Sequence, residues 1–277
     1  MYKYNRKEYS MYPYDIFPGI DMYTVCLCLA ILAALIVFRV MSDELKIRAK
    51  LQNLCLYIAI AAIFLGYFSA VVFQALYNIK ENGGFVINSS TGATFYGGLI
   101  GGAVVFLSLY FGFGAKLFKK DKEHINSFFK VADVAACAVS LAHAIGRIGC
   151  LFAGCCHGKL TDAWYGIEMV GVGKAVPTQL FEALFLLAIM IYLVLRIKGG
   201  KTYCLQLYMA IYGAWRFVIE YMRDDYRGTT LVKALTPSQF IALLMIAGAI
   251  GLIFLQRALQ KKIAARAVAA PEETDAE

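Results

Sequence analysis

Seven stretches of about twenty mostly apolar residues recur along the 277-residue chain, near 20–40, 54–77, 96–115, 130–150, 177–196, 203–222 and 238–256. Each is long enough for one α-helix to cross the roughly 30 Å hydrocarbon layer of a bilayer. The runs are continuously apolar and do not alternate with period two. Helices, not barrel strands, are then the way to satisfy the backbone in lipid. The expected fold class is all-α: a polytopic membrane helix bundle of seven transmembrane helices. It forms a single integral-membrane domain over 1–266, and 267–277, ending PEETDAE, reads as a short disordered acidic tail. The first run is too long for a signal-peptide core and lacks a small-residue cleavage site, so it reads as a retained helix. Only 17% of residues are charged, against about 25% in soluble domains. That excludes a disordered chain, a coiled coil, a secreted disulfide scaffold and a nucleic-acid-binding domain on a soluble core.

The net charge of +8 belongs to topology. Basic residues gather between the apolar runs, at Lys46, Arg48 and Lys50, at Lys116, Lys119, Lys120 and Lys122, at Arg196, Lys198 and Lys201, and at Arg257, Lys261, Lys262 and Arg266. Loops facing the anionic cytoplasmic leaflet have this character. An N-out, C-in arrangement places 16 of the 27 Lys and Arg residues inside. The stretch 151–176 is the longest outside segment that is still fairly apolar, which suits a partly buried, re-entrant or interfacial path.

Charges within the spans are the residues to explain, because each costs about 2.5–3.5 kcal/mol at the bilayer centre on the milder scale. In the sixth run, YMAIYGAWRFVIEYMRDDYRG, Tyr212, Arg216, Glu220 and Arg223 fall on one helical stripe. An Arg216–Glu220 pair that merely neutralises itself is the simplest reading. The second arginine leaves a surplus positive charge, and a phosphate suits the guanidinium fork. Arg147 closes the fourth run among Gly146, Gly149 and Gly154, in HAIGRIGCLFAGCCHGK. The fifth run opens PTQLFE, where Gln179 and Glu182 share a face; a buried Glu182 needs Arg147 or Arg216 as partner. The glycines of FYGGLIGG in the third run, Gly97 and Gly98 among them, make a small-residue helix-packing face, with Tyr96 before them as a belt aromatic or a site hydroxyl.

Cys150, Cys155, Cys156 and His157 occupy eight consecutive positions. Three readings stand open: metal ligation, a thiol activated beside Arg147 and His157, or packing, including a disulfide. The usual CxxC pair and a second half-site are missing, so no metal and no cofactor are expected.

These motifs together resemble the prolipoprotein diacylglyceryl transferases, bacterial inner-membrane enzymes with seven spans. The resemblance runs from about 90 to 255 and rests on GRIG (146–149) with Gly154, PTQLFE (177–182) and YGAWRFVIEYMRDD (212–225), supported by FYGGLIGG (95–102). It implies transfer of a diacylglyceryl group from phosphatidylglycerol to the lipobox cysteine of exported prolipoproteins. The implied partners are that lipid, the signal-peptide region of the precursor and membrane lipid, with no nucleic acid. Arg147 and Arg216 would hold the phosphate, with Glu220 and Arg223 orienting them. Tyr212 would bond to the headgroup or to Arg216, and Gly97, Gly98, Gly149, Gly154, Gln179 and Glu182 would line the substrate. The sequence departs from the family pattern at three places. Tyr96 stands for a histidine, Cys150 for an asparagine, and Ala153, Gly154 and Cys155 for Asn-Gly-Glu. Proton transfer then falls to Tyr96 or His157. The alternative is a paralogous membrane enzyme using Cys150, Cys155 and Cys156 for thiol or redox chemistry on another acceptor.

Overall fold

The computed structural model describes residues 15–79, 83–88, 91–169, 171–224 and 234–269, with the side chains of residues 95, 96 and 266–269 outside the description. The helices are α1 (Met22–Glu44), α2 (Ala49–Tyr77), α3 (Phe95–Leu117), the single turn α4 (Glu123–Asn126), α5 (Phe128–Phe152), α6 (Thr178–Lys198), α7 (Cys204–Ile219) and α8 (Pro237–Ala269). A two-stranded hairpin, β1 (Ile167–Met169) and β2 (Gly173–Ala175), lies between α5 and α6. Among the described residues, six helices are long and apolar enough to cross a membrane, and the fold is all-α apart from the hairpin. The stretch expected to form the remaining span, 203–222, is the 16-residue α7 continued by a 3₁₀ turn, Glu220–Met222. Helix α8 continues to Ala269, through the start of the expected tail; residues 270–277 lie outside the described residues.

The chain divides into two compact units, one of residues 46–128 and the other of residues 1–45 and 129–277. In the first, α2 and α3 meet along a seam of small residues. A Cβ on Gly66 would lie 3.1 Å from both Gly102 Cα and Gly98 O, and one on Gly101 would overlap Ser69. Glycine here allows backbones to approach closely where lipid provides no hydrophobic drive for helix association. The seam's polar groups are used locally: Ser69 Oγ donates to Gly97 O at 3.0 Å and Thr94 Oγ1 to Gln74 Oε1 at 2.7 Å. At the other end, buried Tyr110 donates to His124 O at 2.6 Å, and Arg48 pairs with Asp121 and Glu123 at 2.6 and 2.9 Å.

The second unit packs by other means. Asp21 caps α1, accepting from Thr24 N at 2.8 Å. Asp133 of α5 is buried and accepts from Leu205 N at 3.0 Å, satisfying an orphan donor at the start of α7. Between α7 and α8, Gln206 donates to Gln256 at 2.7 Å, and a Cβ on Gly213 would reach Ala242 O at 2.9 Å. Between α6 and α7, Phe185 stacks on Trp215 with centroids 4.1 Å apart. Large apolar side chains such as Leu32, Ile36, Leu195 and Phe254 point outward, as a lipid-facing surface requires. The expected apolar path over 151–176 is a folded segment: β1 pairs antiparallel with β2, Leu160 bridges Ala175, and Gly158 bridges Arg223.

Candidate active site

Helices α5, α6 and α7 each turn ionisable residues toward one another. His143 and Arg147 lie one turn apart on α5, Gln179 and Glu182 lie in the first turns of α6, and Tyr208, Tyr212 and Arg216 recur at every fourth position of α7. Glu182 is fully buried. Its Oε2 lies 3.0 Å from Arg147 Nε, and its Oε1 accepts from the Tyr212 hydroxyl at 2.6 Å. His143 sits between two phenols, with Nε2 3.4 Å from Tyr212 Oη and Nδ1 3.4 Å from Tyr208 Oη. Its ring meets Tyr212 edge-on at 4.9 Å, while Tyr208 and Tyr212 stack.

One turn farther along α7, Arg216 Nη2 pairs with Glu220 Oε2 at 2.7 Å and donates to Ser238 Oγ at 2.8 Å. Thr236 Oγ1 donates to Glu220 Oε1 at 2.9 Å, and Arg223 Nε stands 3.8 Å from Glu220 Oε2. Arg216 Nη1 is buried and has no hydrogen-bond partner among the described residues. The charges of Arg147 and Arg216 both bear on Glu182 and on His143. Among the described residues, Arg147 pairs with Glu182 and Arg216 with Glu220, and Arg216 Nη1 is left as an unused donor. A charge pair removed from water recovers its desolvation only when its remaining donors find partners.

The loop after α5 adds three thiols. Helix α5 ends in a Schellman turn: Cys155 N bonds to Cys150 O at 3.2 Å and Gly154 N to Leu151 O at 3.1 Å, with Gly154 at φ +64. That turn folds Cys155 back over Cys150. Cys156 is also left-handed, at φ +65, a conformation costing a non-glycine residue about 1–2 kcal/mol. The loop is pinned from α6, where Thr178 Oγ1 donates to Cys156 O at 2.9 Å and Gln179 Nε2 to Cys155 O at 2.7 Å. Gly158 is wedged against Met222 O and Val176, which a Cβ would meet at 2.6 and 2.8 Å. The three sulfurs lie within 4.8 Å of one another and none is in a disulfide. Hydrogen bonds from Cys150 and Cys155 push the Cys156 thiol down, helped by Arg223 and Arg147. The Cys155 thiol is pushed up by its hydrogen bonds with Cys150 and Cys156, and by burial.

Comparison with known proteins then decides the family. The chain matches the family model of prolipoprotein diacylglyceryl transferase over residues 15–255. It belongs to that family. Similar relatives include the phosphatidylglycerol–prolipoprotein diacylglyceryl transferase of Clostridium tetani, 32% identical over 81% of this chain and 88% of the relative. Proteins of the same name from Clostridioides difficile (33% identical, 70% and 74% covered) and Dehalococcoides mccartyi (29%, 70% and 75%) resemble it as well.

Within this transferase fold, the structure joins Arg147 to Glu182 and Tyr212, and Arg216 to Glu220 and Arg223. The Tyr212 hydroxyl goes to Glu182 in place of Arg216. Gln179 is spent on the cysteine loop. Gly97 and Gly98 face Phe73 and Ala70 within the α2–α3 seam, Gly149 faces Cys26 and Tyr23 of α1, and Gly154 is the helix stop; each has a packing or turn reason to be glycine. His157 Nδ1 lies 2.8 Å from Gly158 O. The side chain of Tyr96 lies outside the described residues. His143, Tyr208, Thr236 and Ser238 belong to the network without having stood out in the sequence. The signals were there: His143 is one turn before Arg147, and Tyr208 is one turn before Tyr212.

Proposed function

We propose that this protein transfers a diacylglyceryl group from phosphatidylglycerol to the lipobox cysteine of exported prolipoproteins, in the bacterial inner membrane, with the precursor's signal-peptide region as second substrate. An N-out, C-in topology follows from the basic loops and puts the acceptor on the exported side. The observation that carries the reading is the buried Arg216 Nη1, which has no partner among the described residues, beside the Arg147–Glu182 and Arg216–Glu220 pairs. Arg147 and Arg216 hold the headgroup phosphate. As the carbon–oxygen bond to phosphate breaks, they stabilise the charge growing on the departing glycerol phosphate. Donors fixed in place before the reaction, in a dry site, are the largest single source of rate in most enzymes. Glu182, held by Tyr212, fixes Arg147, and Glu220, held by Thr236, fixes Arg216. Both reactants are held in one membrane site, which replaces a two-body encounter by alignment.

The test is transfer of labelled diacylglyceryl from phosphatidylglycerol to a lipobox peptide in membranes carrying the protein, together with complementation of a strain lacking its lipidation enzyme. Arg147→Ala and Arg216→Ala, inserted at normal levels, are expected to lose transfer. Wild-type rates in both would overturn the reading.

A further inference from the structure

We propose that Cys150, Cys155 and Cys156 form a three-thiolate site for a soft divalent cation, zinc by preference, whose open fourth position receives the acceptor thiol. This rests on the transferase reading above and assigns the cation to its acceptor side.

Three observations carry it. The Schellman turn at the end of α5 and the left-handed Cys156 bring three sulfurs from a C-x₄-C-C spacing within 4.8 Å of one another. Zinc–thiolate bonds of about 2.3 Å in tetrahedral geometry set sulfurs about 3.8 Å apart, so closure on an ion needs shifts of less than about an ångström. Second, the loop is held for this shape: Thr178 and Gln179, both fully buried, donate to the carbonyls of Cys156 and Cys155, as outer partners fix the ligands of a metal site. Third, the surrounding charge fits. Three thiolates around a divalent cation carry one net negative charge, and the positive charges of Arg147 and Arg223 bear on Cys156. Among the described residues no His, Asp or Glu joins the cluster, which offers three ligands. That is the count of catalytic zinc sites, which keep a place for substrate, whereas structural sites have four.

The chemistry suits a reaction that alkylates sulfur. A thiol that binds zinc gives up its proton, so the acceptor enters the fourth position as thiolate and its proton leaves to solvent. A sulfur lone pair then forms the new bond to the glyceryl carbon, while the carbon–oxygen pair departs with glycerol phosphate. The thioether product is a poor ligand and leaves. A different use of the cluster, with a protein cysteine attacking the lipid itself, would end in a stable thioether on the enzyme and a single turnover.

The test starts with full-length protein in detergent, reduced and stripped of metal, titrated with Co²⁺. A thiolate-to-cobalt charge-transfer band that saturates at one equivalent and is bleached by Zn²⁺ is expected. Cys155→Ser should remove the band, and Gln206→Leu should keep it. A peptide containing the lipobox cysteine should shift the visible cobalt bands, and the same peptide with serine should not. Absence of the band while Cys150, Cys155 and Cys156 are each shown to be reduced, or recovery of two of these three as a disulfide from the native membrane, overturns the site. Undiminished transfer by enzyme lacking both metal and the three thiols overturns its role and leaves the transferase standing. Cobalt binding without any lipid transfer would sink the transferase reading and leave the metal site.

Discussion

The α2–α3 hairpin and the α5–α6–α7 group meet the same demand, helices held together without a hydrophobic drive, in opposite ways. The hairpin brings backbones into contact at Gly66, Gly98 and Gly102 and uses up its hydroxyls on neighbouring carbonyl and amide oxygens. The α5–α6–α7 group buries arginine and glutamate, and Arg216 Nη1 is left without a partner among the described residues. The Ser69 and Thr94 hydroxyls, answered within the hairpin, describe a joint. A buried guanidinium with a donor to spare describes a place for something else.

The strongest way to break this comparison is Arg216→Ala. Loss of one fixed donor to a developing anion costs about 10²–10³ in kcat, and initial rates of lipid transfer by folded enzyme are expected to fall at least that far. Glu182→Gln comes next. It leaves Arg147 without its carboxylate, and unpairing a buried ion typically costs about 3–5 kcal/mol; a lowered midpoint in thermal unfolding and a large drop in transfer are both expected. On the scaffold side, Gly66→Leu pushes a side chain into Gly102 and Gly98. Overpacking of this kind costs about 1–3 kcal/mol, read as a lower unfolding midpoint in detergent with unchanged activity per folded molecule. Tyr212→Phe removes one hydroxyl from Glu182, worth about 1.5–3 kcal/mol for a bond to a charged group. Its expected effect is slower transfer more than lost fold, which kcat at saturating lipid would show. The smallest effect belongs to Gln206→Leu between α7 and α8. Interhelical hydrogen bonds in membranes average about 0.6 kcal/mol, so unfolding and transfer should both stay near wild type.

Much of this organisation can be read from residue order. Long apolar runs mark membrane helices because lipid admits little else, and among the described residues six helices are long and apolar enough to cross a membrane. The stripe from Tyr212 to Arg223 announces itself because charge is costly there. The partners are harder to read. Glu182 meets Arg147 and Tyr212 meets Glu182 through helix packing that no local spacing specifies. His143 precedes Arg147 by one turn, but nothing in the local spacing marks it as a partner of Tyr208 and Tyr212 on another helix. The thiol cluster was half legible. Paired CxxC spacing is absent, yet Gly154 at the helix stop brings the Cys150 and Cys155 sulfurs within 4.8 Å of each other.

The central claim is that Arg147 and Arg216 hold one lipid phosphate, and lipid binding tests it most directly. Purified protein in vesicles of phosphatidylglycerol and phosphatidylcholine should crosslink preferentially to a photoactivatable phosphatidylglycerol, with excess diacylglycerol failing to compete. Arg147→Ala and Arg216→Ala should each abolish that preference while Gly66→Leu retains it. Equal crosslinking by wild type and both arginine variants would contradict the account.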